Sequence, residues 1–174
     1  PAIFDNDKLT WMSGNYIRKT SLERLAELAL PYLQEAGYLP DKLSEEQSKQ
    51  LMAFLRAALE RLNVISEIVD YAPMIYGDKL PELTEKELNI LNEPQVPQVF
   101  NLVCSKLELL TDYSPEGVLN TLKETIKESK LGGKKVMMPL RVALTGRTTG
   151  LELYDLISIL GKQRSIERIR AFLA

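Results

Sequence analysis

An all-α fold, arranged as two consecutive helical bundles, follows from three observations on this chain. Apolar residues recur at three- and four-residue intervals over most of its length, residues suited to capping stand ahead of these runs, and a stretch with two prolines parts them near the middle. The 174 residues, 45% of them apolar, suffice for real cores. One run, from Val136 to Leu144, is short and apolar enough to be taken for a strand. Pro139 at its centre argues against an interior strand, whereas a proline can begin a helix, so the run is read as helical.

Taken in order, Asp5 is placed to cap a short helix bearing Leu9, Trp11, Met12 and Tyr16. Ser21 caps the next, whose stripe of Leu22, Leu25, Leu28 and Ala29 continues past a kink at Pro31 to Leu33 and ends at Gly37. Ser44 with Gln47 forms a capping box for a long helix that turns Leu51, Met52, Leu55, Ala58, Leu59 and Leu62 inward and breaks near Asn63. A further piece carries Ile65, Ile68 and Val69, and a loop over residues 72–77 presents Met74, Ile75 and Tyr76. Thr84 with Glu87 repeats the capping-box pattern before Leu88 and Leu91.

Residues 92–97, with two prolines three positions apart, read as the linker. Beyond it, Val99, Leu102, Val103, Leu107 and Leu110 make one apolar face. Ser114 caps a second helix with Pro115 in its first turn and Val118, Leu119, Leu122 and Ile126 inward, ending before Gly132-Gly133. Helices over 136–144, 153–160 and 166–173 complete the chain. The division expected is therefore a connector over 1–20, a first helical subdomain over 21–93 and a second over 94–174.

Composition removes whole classes of chemistry. There is no histidine, which excludes His-based metal sites and Ser-His-Asp or Cys-His catalysis, and the single cysteine, Cys104, sits among apolar neighbours as a core thiol. Paired carboxylates at Glu45-Glu46 and Glu85-Glu87 fall in first helical turns, where negative charge meets the helix dipole, and read as caps. No apolar stretch approaches the roughly 20 residues needed to cross a bilayer, and a cytoplasmic protein is expected. The start without Met reads as a piece of something longer.

The net charge of −2 hides an asymmetry. Residues 1–97 carry 10 Lys+Arg against 16 Asp+Glu, residues 98–174 carry 12 against 8, and from Gly132 onward the balance is 8 against 3. Such a basic end can attract phosphate backbones or can simply be a solvated helix surface. Within it lies PLRVALTGRTTG, residues 139–150, which looks superficially like a phosphate loop. It lacks the P-loop lysine and any preceding parallel strand, so its glycines read first as a helix C-cap and a tight turn. Trp11, Tyr16, Tyr71 and Tyr76 are read as core aromatics that could otherwise stack on bases.

Two motifs resemble one family. PAIFDNDKLTWMSGNYIR, residues 1–18, resembles the segment that follows the catalytic domain in bacterial glutamyl-tRNA synthetases, and PLRVALTGRTTGLELYDLISILGKQR, residues 139–164, resembles that family's C-terminal signature RVALTGxxxGPxLFxxxxxLGxxR. The resemblance implies an all-helical anticodon-binding region with tRNA-Glu as partner, and no DNA or membrane partner. It implies a monomer with no cofactor in this piece; ATP and magnesium serve the full-length enzyme through signatures upstream of Pro1.

Carried over by motif, Lys8 and Trp11 approach the inner side of the tRNA. Arg141 contacts the last anticodon base, and Thr149, Gly150, Leu151 and Leu153 pack around the second and third. The family's Gly-Pro is Gly150-Leu151 here, so Leu151 is expected to offer a van der Waals surface to a base without the rigidity of proline. Alignment on Ile65-Ser66-Glu67-Ile68 puts the arginine that reads the first anticodon base at Arg61, with an ordinary exposed arginine as the other reading. The alternative function is a helical protein-interaction module built on an exposed apolar groove around Met74, Ile75 and Tyr76.

Overall fold

The structure of the protein, a computed structural model, describes the backbone of residues 6–173 and the side chains of residues 13–173. Every regular element among the described residues is helical, and the chain divides into two compact units, Pro1–Gly77 and Asp78–Ala174.

The first unit contains α1 (Asn6–Lys19), α2 (Leu22–Glu35), α3 (Glu45–Ala58) and α4 (Ile68–Tyr76), with short 3-10 turns at Leu59–Arg61 and Ile65–Glu67. The expected cap Asp5 lies outside the described residues. Ser21 caps α2 by accepting from the Arg24 N–H at 3.3 Å, and α2 closes on Gly37, whose φ of 81° lets Gly37 N–H reach Gln34 O and Tyr38 N–H reach Leu33 O, both at 2.9 Å. α3 opens with the full capping box: Gln47 N–H donates to Ser44 Oγ at 3.1 Å and Ser44 N–H to Gln47 Oε1 at 2.9 Å. α2 packs against α3 and α4 over a core of Leu25, Ala29, Leu33, Phe54, Leu55 and Ile75, all fully buried.

Residues 72–77, expected as a presenting loop, are instead the second half of α4 and the residue that caps it. Ala72 and Ile75 are fully buried and Met74 nearly so, because the helical spacing of Ile68, Ala72 and Ile75 turns that face into the bundle. Tyr76 follows them: its ring lies 5.7 Å from Phe54 and 6.3 Å from Tyr38, and burial pushes its hydroxyl pKa up to about 12. The exposed groove needed for the interaction-module reading is absent at these residues. Tyr16, by contrast, is 61% exposed and belongs to no core.

The second unit holds α5 (Glu85–Leu91), α6 (Val96–Leu109), α7 (Pro115–Ser129), α8 (Gly133–Thr145) and α9 (Leu153–Arg170). α6, α7 and α9 pack on one another and α5 packs on α8. The two compact units divide at 77/78, and residues 92–95 are a turn inside the second unit, with Val96 just after them buried. α7 opens as expected, with Pro115 in the first turn and Gly117 N–H donating to Ser114 Oγ at 3.2 Å. Cys104 is buried on α6, and its desolvation raises the thiol pKa.

One element departs from expectation and another meets it under a single continuous span. α8 begins at Gly133, so Pro139 is its seventh residue rather than its first. A proline there cannot donate to the carbonyl four residues back, and the helix continues because Val136, Pro139, Leu140 and Ala143 are all buried against the core. α9 is interrupted at Gly161, with φ of 75° and ψ of 178°, and is in effect the two helical pieces that the sequence suggests.

Candidate nucleic-acid interface

The end of α8 and the turn leading to α9 gather four of the expected contact residues with Arg141. α8 stops at Gly146, whose φ of 70° permits its N–H to reach Val142 O at 2.8 Å. A Cβ at this position would stand 3.1 Å from both Cδ and the carbonyl oxygen of Pro81, so the turn is wedged against the segment that precedes α5. Arg147 adds to that junction, its guanidinium donating to Glu82 O at 3.2 Å and Gly146 O at 2.9 Å. Thr145 Oγ1 donates to Arg141 O at 2.7 Å and accepts from Arg147 N–H at 3.1 Å. The helix end is fixed from within and from without.

The far side of the turn is held by Arg141 itself. From the last turn but one of α8, its Nη1 donates to Leu151 O at 2.6 Å across ten residues. Gly150 takes φ of 149°, a value that favours glycine, and delivers Leu151 to the interior. Leu151 and Leu153 are both 0% exposed. Their side chains are core, and the turn presents outward Thr149, Arg147 and, in part, Thr148 and Gly150. Where the resembling family has proline, this chain obtains a fixed backbone from a buried leucine whose carbonyl is bonded to a guanidinium.

Arg61 lies in the first unit, exposed at the end of the 3-10 turn that follows α3. The chain just beyond it is fixed by Glu67, whose carboxylate accepts from Asn63 N–H at 2.7 Å and Val64 N–H at 3.3 Å, and by Leu62, which is buried. Lys8 and Trp11 fall on the backbone of α1, but their side chains are outside the described residues.

The cationic terminal helix turns out to spend its charge on the fold. Arg168 donates to Leu144 O at 2.8 Å, satisfying a carbonyl at the end of α8, and burial with the nearby Arg164 brings its pKa down to about 10, still fully charged at neutral pH. Lys162 donates to Glu108 O at 3.0 Å and stands 5.9 Å from the Tyr113 ring centre, and Arg170 pairs with the Glu108 carboxylate. What sequence reasoning missed is a second basic group. Lys134 and Lys135 at the start of α8 face the same groove as Lys86 of α5 and Thr148 and Thr149 of the turn. The charge excess after Gly132 pointed to the first two, whereas Lys86 was hidden between Glu85 and Glu87.

Those glutamates are not a metal site. The Glu87 carboxylate accepts from the Thr84 N–H at 3.0 Å and from the Thr84 hydroxyl, which hold its pKa below the ordinary carboxylate range. The expected capping box is thus realised through the carboxylate. Among the described residues no group of three Cys, Asp or Glu side chains converges, so a divalent cation has no donor set there. No described helix is long and apolar enough to cross a membrane.

The family described as the anticodon binding domain matches residues 24–173. The glutamate–tRNA ligase of Heliobacterium modesticaldum is 39% identical over 170 residues, covering 98% of this chain and 34% of that protein, and that of Bacillus subtilis is 36% identical, covering 98% and 35%. The chain spans about a third of the length of these curated relatives. A crystal structure of a glutamate tRNA ligase from Elizabethkingia meningosepticum superposes with a TM-score of 0.83 at 23% identity, over 98% of this chain and 32% of that one, and shares the fold.

Proposed function

The chain belongs to the anticodon binding domain family, and from that membership we propose that it recognises the anticodon of tRNA-Glu as part of a longer glutamate–tRNA ligase. The observation that carries the reading is near-complete coverage of this chain by ligases of which it spans only a third. In this reading ATP, magnesium and glutamate are handled by the remainder of the enzyme, and this piece alone binds RNA without performing the reaction. It acts as a cytoplasmic monomer, with neither DNA nor membrane as partner.

Within the second unit, Arg141 and the outward side of the turn, Thr149 and Gly150, meet the second and third anticodon bases, while Leu151 and Leu153 anchor the turn from below. Within the first, Arg61 offers a guanidinium fork to the first base. Lys8 and Trp11 contact the inner side of the tRNA. The test is binding of tRNA-Glu and of the same tRNA with an altered anticodon. Arg141→Ala should weaken cognate binding by about 1–3 kcal/mol more than non-cognate binding. Equal loss for both RNAs rejects base reading at this position.

A further inference from the structure

We infer that the groove between α5 and the first half of α8 holds the sugar-phosphate backbone of the RNA strand whose bases meet the 146–152 turn. This rests on the proposed function and extends it to residues that neither motif contains. The groove encloses about 610 Å³ and is lined by Lys86, Lys134 and Lys135, with Thr148 and Thr149 on the turn side and Glu93 as the single acid. Thr149 is thus common to the groove and to the proposed reading turn, which makes the two continuous.

The groove lysines differ from Lys106, Lys162, Arg168 and Arg170 in how the fold uses them. Lys106 pairs with Glu128 at 2.7 Å, Lys162 and Arg170 engage Glu108, and Arg168 closes the end of α8. No carboxylate among the described residues forms an ion pair with Lys134 or Lys135, and the first turn of α8 contains no acid. Among the described residues Lys86 reaches only a hydroxyl, Thr148 Oγ1 at 3.4 Å. Three lysines against one carboxylate in the lining of a single concavity give it a positive potential, which an anionic chain lying along it neutralises. A phosphodiester chain suits the site because the hydroxyls can donate to phosphate oxygens while Ile90 and Met138 give an apolar floor for ribose. Glu93, the one acid of the lining, accepts from the Gln95 amide at 2.5 Å.

The experiment titrates a synthetic tRNA-Glu anticodon stem-loop into the 174-residue chain and its variants across a range of salt. The triple variant Lys86→Ala, Lys134→Ala, Lys135→Ala should flatten the slope of log affinity against log salt by about 0.7 per lysine. It should weaken cognate and altered loops by the same factor, leaving the preference intact. The corresponding Lys→Arg triple should restore the slope, which separates charge from folding, and Glu93→Gln should tighten binding. An unchanged slope in an alanine triple variant that still binds and prefers the cognate loop overturns the groove. No binding by the parent chain at low salt overturns the proposed function instead.

Discussion

The loops after α3 and after α8 each follow an expected anticodon-reading arginine, yet the two are built in opposite ways. After α3 the backbone is fixed by an acid, Glu67, that gathers the N–H groups of Asn63 and Val64, while Arg61 remains exposed at the rim. After α8 the arginine is itself the fastening, since Arg141 holds the carbonyl of Leu151 and is half-buried in doing so. The difference teaches that an arginine in a recognition motif can serve by shaping the surface as well as by touching the ligand. A loss of binding on mutating Arg141 therefore mixes the two effects.

The largest effect expected in this comparison comes from cutting the turn loose at its buried end. Leu151→Ala should cost about 2–5 kcal/mol in urea unfolding, as for other fully buried leucines, and should weaken cognate RNA binding although the side chain faces away from solvent. Unaltered stability would show that the turn is held by Arg141 alone.

Next in size are the two fastenings. Arg141→Ala should destabilise by about 1.5–3 kcal/mol and Glu67→Ala by about 1–2 kcal/mol, whereas Arg61→Ala, at an exposed side chain, should cost less than either. Denaturant melts of the three variants measure this directly. A stability loss at Arg61 matching that at Arg141 would erase the distinction between them.

The smallest effect concerns the other carboxylate cap, Glu87, whose pKa is lowered in the fold chiefly by the Thr84 hydroxyl. A depressed carboxyl pKa contributes stability above the ordinary carboxylate range and loses it as pH falls through the folded value. Thr84→Ala should therefore lower stability near neutral pH, with the charge-dependent part of the gap closing as the solution is acidified. A gap that stays constant from neutral to strongly acidic pH would remove the carboxylate from the explanation and leave only helix capping.

Local chemistry was readable wherever one residue decides one conformation. Ser21, Ser44 and Ser114 cap the helices they precede, Gly37 and Gly146 close helices with positive φ, and the break at Gly161 lies where the periodic pattern stops. Misreadings arose where packing overrode a local signal. Pro139 looked like a helix start but is carried inside α8 by burial on its flanks, and Met74 and Ile75 looked like a presented loop until α4 turned them inward.

By itself the sequence determined the helical class, the caps, the absence of histidine chemistry and the motifs that place the chain in its family, because each depends on residue type and near-neighbour spacing. Only the tertiary structure decided that Leu151 and Leu153 are core, that Arg141 ties the turn, that the terminal cations close helix ends and pair with Glu108, and that Lys86 joins Lys134 and Lys135. Those outcomes depend on contacts between residues up to 65 positions apart, such as Arg147 with Glu82, which no periodicity along the chain encodes.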